Sequence, residues 1–419
     1  MPWWVPTLGM VSLAVLYLAT RLYFGWSLTE RCLLKGAQSP GDTDVPRLVY
    51  KPSALAKYLL RSCLSFSSGA PCRCTWSKLP HLQTLWNVFW PPGTAVHFVR
   101  DYLQLADEGL VALDWAVPST SGRRRASSNS PAPIVLVIPN SFGKITRNVV
   151  ELCASALAYG HRPVIFNRRC QNGSLLTTLK LQQFGDPSDL REAVRYIRYK
   201  HPNARLFTVS ESTGAGLLLS YLGECGSSSY VTSAACISPV FRYATALGEI
   251  IDMDKLFATR TLKEMEEVLF CQTKKGNLSW DLYWEKNDPL RDVDEVAVPV
   301  LCICSQDDPC RGDPDLTLPF ELFETNPHFF LLLTKHGGHC GFLKSRSSAW
   351  SHEVLLEYFK SVSEFFMTEE RTKSFSKRKC AGSGNSMSYK CGRGNSFKTD
   401  SFCSHNIHDI FNWQRSYTR

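Results

Sequence analysis

One serine, a pair of aspartates and a pair of histidines stand in this chain where they could share a single proton-transfer chain. Ser212 lies in Ser210-Glu211-Ser212-Thr213-Gly214, with small residues two before and two after it. Small flanks let a serine occupy a strained turn between a strand and a helix, which holds its hydroxyl clear of the backbone. Ser210 stands where the usual first glycine of such a turn would be, and tolerates a close approach less well. Asp307 and Asp308 fall in Ser305-Gln306-Asp307-Asp308-Pro309, and His336 and His339 flank paired glycines in His336-Gly337-Gly338-His339-Cys340-Gly341-Phe342. A histidine that takes the serine proton, oriented by a carboxylate, is the arrangement for nucleophilic attack on an acyl carbonyl. Each part also has a plainer use: a helix cap, a turn opener before proline, a polar loop residue. The order Ser, Asp, His, each after an apolar run, favours the joint reading, with either aspartate and either histidine open at this point.

Bringing these side chains together requires particular elements. Residues 206–209 read as a buried strand and residues 215–222 as the helix that follows it. Residues 298–304 and 329–334 read as further buried strands, and residues 133–138 as the first strand of a parallel set. Unbroken apolar runs of this length suit strands covered on both faces. Residues 190–199 and 350–366 have helical apolar spacing, and Asp107-Glu108-Gly109 between apolar runs makes residues 101–115 a hairpin. An open parallel sheet gathers its loops beyond the carboxyl ends of the strands, where all three chemical stretches fall. An oxyanion formed there needs donors: the backbone N–H of Thr213, beside the nucleophile, and an N–H of the loop Pro139-Asn140-Ser141-Phe142-Gly143.

Several blocks in order, namely Pro80-His81-Leu82-Gln83-Thr84, Val164-Ile165-Phe166-Asn167-Arg168-Arg169, Asp189-Leu190 and the histidine stretch, resemble the α/β-hydrolase domain proteins of the AB hydrolase 4 group. The resemblance runs from near Leu48 to near Glu370. It implies an α/β-hydrolase fold, with a mostly parallel central sheet and helices on both faces, acting on carboxylic esters such as lipid or acylglycerol esters. By matching, Ser212 is the nucleophile, Asp308 the orienting acid, His339 the base and Ser141 the second oxyanion donor. Three positions depart from the group's pattern. Asn140 stands where relatives carry glycine, Cys170 takes the glycine of an Asn-x-Arg-Gly run, and the chain after residue 240 is shorter than the group's cap, about 241–290 being a reduced one. These departures motivate an alternative reading as a catalytically weak or inactive regulatory binding protein in lipid metabolism.

Composition agrees with one large domain: of 419 residues, 44% are hydrophobic and 20% charged. The net charge of +9 is concentrated in residues 368–419, where ten Lys/Arg face four Asp/Glu, so no nucleic-acid surface is indicated. Cys72-Arg73-Cys74 lacks a second pair, and no metal or cofactor is expected. Residues 2–20 carry no charge and are predominantly apolar, long enough for a membrane anchor within residues 1–26. A cleaved signal peptide is the alternative. The expectation is association with the endoplasmic reticulum or another endomembrane, or secretion if the segment is cleaved. The sixteen cysteines read as thiols, many buried in core strands. Residues 27–100 are expected to lead into a hydrolase domain spanning 101–370, irregularly over 27–79, with a Ser/Arg/Pro-rich loop at 117–132. Residues 371–419 are expected to form a basic, disordered tail, whose Ile407, Ile410, Phe411 and Trp413 could dock on a protein partner.

Overall fold

The computed structural model describes residues 45–68, 79–93, 95–117, 131–178, 180, 182–241, 264, 267, 271–273, 276–277, 279–345 and 348–381. All belong to the unit Asp44–Arg419. The apolar segment 2–20, most of the loop 117–132, much of the cap region and the tail beyond 381 lie outside the described residues. Among the described residues no helix is long and apolar enough to cross a membrane.

Nine strands form one sheet in the order β1-β11-β10-β7-β6-β4-β5-β3-β2. The strands are β1 (Arg47–Tyr50), β2 (His97–Gln104), β3 (Leu110–Val117), β4 (Ile134–Ile138), β5 (Arg162–Asn167), β6 (Leu206–Glu211), β7 (Ser233–Ile237), β10 (Val300–Ser305) and β11 (Phe329–Thr334). Two short pairs, β8 (Gln272–Thr273) with β9 (Gly276–Asn277) and β12 (Leu343–Ser345) with β13 (Ser348–Ala349), stand apart from it. The six strands from β11 to β5 run parallel, while β1 and the hairpin β2–β3 join antiparallel at the two edges.

The inner strands are buried at every residue, and their side chains divide by twos between the faces. Ile134, Leu136 and Ile138 of β4 pack on one face with helices α4 (Ser188–Lys200) and α5 (Gly214–Cys225). Val135 and Val137 pack on the other, with α1 (Ala54–Ser62), α3 (Arg147–Ala158) and the last helix, α9 (Trp350–Ala381). Leu322 and Phe323 of α8 (Phe320–Thr325) pack on the first face; α6 (Trp280–Asn287) and α7 (Pro314–Thr317) are short, and α2 (Pro80–Phe89) lies against α3.

Two segments differ from expectation. Within the leader, residues 45–68 are not irregular: β1 extends the sheet beside β11, and α1 seats Leu55, Ala56 and Leu59 in the core. Ser53 caps α1 by accepting the N–H of Ala56 at 3.1 Å, and the cap makes a short apolar segment a helix. At the other end α9 continues past residue 366 to Ala381, into the stretch expected to open a disordered tail, because no Gly or Pro interrupts it before then.

The blocks that carry the family resemblance are largely structural. The Arg169 guanidinium holds Asp189 in a two-pronged buried ion pair, at 2.6 and 2.7 Å, and reaches Asp107 at 2.9 Å. That clamp ties the end of β5 to the start of α4 and to the β2–β3 turn, and a bidentate carboxylate–guanidinium pair fixes all three.

Candidate active site

Ser212 leaves the end of β6 with φ +54°, the left-handed region that costs an L residue energy. The surroundings over-determine it: its N–H donates to Ile237 O on β7 at 2.9 Å, and α5 begins two residues later. Gly214 is obligatory at that start, because a Cβ there would lie 2.4 Å from Pro139 O and 2.9 Å from Ile138 O. Ser210, two residues before, fits in the sheet between Ile138 and Cys236 and is fully buried. The close approach that calls for glycine therefore falls on the helix side of the turn, and a serine is accommodated on the strand side.

The structure separates the paired candidates. His339 Nε2 lies 2.7 Å from Ser212 Oγ, and its Nδ1 lies 2.9 and 3.0 Å from the two carboxylate oxygens of Asp308. His336 Nδ1 instead pairs with Asp307 Oδ2 at 3.2 Å, while Asp307 Oδ1 accepts the N–H of Gly338 at 2.9 Å. Asp307 and His336 thus brace the turn that presents His339, and Ser212, His339 and Asp308 form the continuous chain.

Asp308 follows β10 and is 2% exposed. Burial pushes its carboxyl up, but the hydrogen bond and charge of His339, the charge of Arg311 and the N–H of Cys310 together hold it below its usual value. Oδ1 accepts the backbone N–H groups of Cys310 at 2.9 Å and Arg311 at 3.1 Å, so the carboxylate is fixed before it meets the histidine. The His339 turn is anchored from a distance. Thr84 Oγ1 of α2 accepts the N–H of His339 at 3.0 Å, Ser305 Oγ donates to Gly338 O at 2.8 Å, and Asn148 Nδ2 donates to Cys340 O at 2.7 Å. Gly338 has φ +58°, and a Cβ there would lie 2.5 Å from Pro80 O.

The expected second oxyanion donor already has a partner. The N–H of Ser141 donates to Thr213 Oγ1 at 2.8 Å, so the threonine after the nucleophile occupies the amide that the sequence assigns to an oxyanion. The loop bearing Ser141 is held by two neighbours of Cys170: Gln171 Nε2 donates to Ser141 O at 2.8 Å and Asn172 Nδ2 to Gly143 O at 2.6 Å. The Ser141 hydroxyl and the Asn140 Oδ1 are buried without a hydrogen-bond partner among the described residues. Cys170 itself has φ +60°, a region that favours glycine, and the exposed cysteine adopts it nonetheless.

Sequence reasoning passed over four residues around the site. Glu211 is buried against it, and Thr146 Oγ1 donates to Glu211 Oε2 at 2.8 Å. Burial raises the Glu211 carboxyl above its ordinary value, against the opposing hydrogen bonds of Thr146, Asn148 and Asn87 and the charge of His339. Arg311 lies behind Asp308, 2% exposed, its Nη2 donating to Ser305 O. Cys310, two residues after Asp308, has its thiol pushed up to about 12 by burial and by the Asp308 charge. Thr84 is the fourth; it closes the 80–84 block of the resemblance, but nothing local marks its bond, since 255 residues separate it from its partner. Among the described residues, Asp308, Cys310 and His339 form the group whose ligand atoms are close enough to share a metal ion.

A sheet of this order, with a strained serine after β6, an acid after β10 and a histidine after β11, defines an α/β-hydrolase fold. The chain belongs to the ABHD15 family within the AB hydrolase 4 group. It is 52% identical over 402 residues to human Protein ABHD15, covering 89% of this chain and 85% of that one. Mouse Phospholipase ABHD3 is 25% identical over 355 residues, covering 76% and 85%, and zebrafish Monoacylglycerol lipase ABHD2 is 23% identical over 401 residues, covering 84% and 88%. No protein-family model matches the chain.

Proposed function

We propose that this chain is a membrane-associated serine hydrolase that cleaves carboxylic esters of lipids. The observation that carries the reading is the unbroken chain Ser212 Oγ–His339 Nε2 at 2.7 Å and His339 Nδ1–Asp308 at 2.9 Å, built on a left-handed serine. In this reading His339 takes the Ser212 proton as the oxygen attacks the ester carbonyl. Asp308 keeps the imidazole's Nδ1 protonated and offsets the imidazolium charge. His339 then returns the proton to the leaving alcohol, and water releases the acyl group by the same route in reverse. The N–H of Thr213 and a donor from Ser141 stabilise the oxyanion. Relatives named as a phospholipase and a monoacylglycerol lipase support a lipid ester as substrate. The uncharged apolar segment 2–20 supports attachment to an endomembrane, and the apolar residues near the end of the tail support docking on a protein partner.

One observation favours the second reading, a weak or inactive hydrolase that serves as a binding protein: the Ser141 amide is already satisfied by Thr213. The two readings part on fatty-acid release by the purified full-length chain from phospholipid and monoacylglycerol vesicles. Release that disappears in Ser212→Ala supports the hydrolase. Release equal in the two proteins, or none above the uncatalysed rate, supports the binding protein.

A further inference from the structure

The Cys310 thiol has no part in the proposed ester hydrolysis, yet it sits against the machinery that would perform it. One carboxylate oxygen of Asp308, the Sγ of Cys310 and a ring nitrogen of His339 all lie within 4.8 Å of one another. Tetrahedral zinc with its usual bond lengths sets neighbouring N, O and S ligands about 3.3–3.7 Å apart, so closing the group requires movements of about 1 Å. Asp308 is held in place by the N–H groups of Cys310 and Arg311, and Cys310 and His339 are partly accessible. The set combines a thiol, an imidazole and a carboxylate, donors that suit zinc once the thiol is deprotonated and not magnesium or calcium.

We propose that Asp308, Cys310 and His339 form an inhibitory site for zinc or a similar soft divalent cation. The nitrogen of His339 that faces Asp308 is Nδ1, while Nε2 faces Ser212. The cation binds Nδ1, the Cys310 sulfur and an Asp308 oxygen, and completes its shell with water. The thiol proton is lost to solvent, and the proton of Nδ1 is carried instead by Nε2. No electron is transferred. The imidazole then presents N–H to Ser212 Oγ in place of a lone pair, and the serine has no base. Arg311, buried beside Asp308, opposes the added positive charge, so the site binds reversibly and is not a permanent structural centre. The loss of activity rests on the hydrolase reading above; the binding does not.

The test uses full-length protein with zinc or cobalt chloride as the probe. Zinc is expected to suppress fluorophosphonate labelling of Ser212, chelator to restore it, and Cys310→Ala to raise the zinc concentration for half-suppression on the order of tenfold or more. Equal suppression of wild type and Cys310→Ala would overturn the proposal, as would labelling that ignores zinc. Cobalt separates binding from catalysis: a thiolate-to-cobalt absorption band that shrinks in both Cys310→Ala and His339→Ala supports the site even if Ser212 proves unreactive. A band unchanged in these variants sinks the site whatever the labelling shows.

Discussion

The chemistry of the site turns on which proton each side chain holds, and Thr213 decides one of these. Its Oγ1 accepts the Ser141 N–H at 2.8 Å, the donor that an oxyanion would need. Thr213→Val keeps the shape and removes the acceptor. The amide left unpaired is expected to lower stability by about 1 kcal/mol, while freeing the donor speeds fluorophosphonate labelling by roughly tenfold or more, since one oxyanion donor is worth about a hundredfold or more in rate. Melting temperature and labelling rate measured side by side check this, and a slower variant would contradict it. At this scale the sequence was partly legible. Ser212 announces itself through Ser210 and Gly214, because strain needs small neighbours close by in the chain. The choice of Asp308 over Asp307 and His339 over His336 followed only from matching to relatives, since both members of each pair meet a partner and differ in which one. The hydrogen bond from His339 to Thr84 was illegible, because nothing in either local sequence refers to the other.

At the scale of elements, the buried strands were the plainest part of the sequence. Unbroken apolar runs at β4, β6, β10 and β11 can only be satisfied by helices on both faces, and both faces are covered. The edge strand β1 and helix α1 were missed because four residues at a sheet edge carry little pattern: Arg47 is exposed and Val49 alone is fully buried. The hairpin β2–β3 was read, but began four residues earlier than expected, at His97, since exposed and half-buried residues alternate weakly along it. The junction between β4, β6 and α5 leaves no room for a side chain at Gly214, and it makes a firm prediction. Gly214→Ala would put a methyl group 2.4 Å from the Pro139 carbonyl, a backbone atom that cannot rotate away. A loss of about 1–3 kcal/mol is expected, read as a lower denaturation midpoint with unchanged slope. An unchanged midpoint would mean that the β4 loop yields easily, and that the elbow is less rigid than described.

For the whole molecule, the fold places a serine, an acid and a histidine from three separate strands at one end of a parallel sheet, far apart in sequence and joined in space. In the proposed reading, the apolar segment 2–20 brings the molecule to a membrane-borne substrate. Deleting residues 2–26 is expected to move the protein from the membrane fraction to the soluble one, with the domain still folded by circular dichroism; retention on membranes would place the attachment elsewhere. The central claim is that Ser212 is an activated nucleophile. The measurement that reaches it most directly treats intact, detergent-solubilised protein with a fluorescent fluorophosphonate beside Ser212→Ala, because that reagent reacts with a serine only where a base and an oxyanion site activate it. Labelling of the wild type that vanishes in the variant is the predicted result. Folded wild-type protein that takes up no label, or a variant labelled equally, would contradict the account and leave the hydrolase fold in the service of binding.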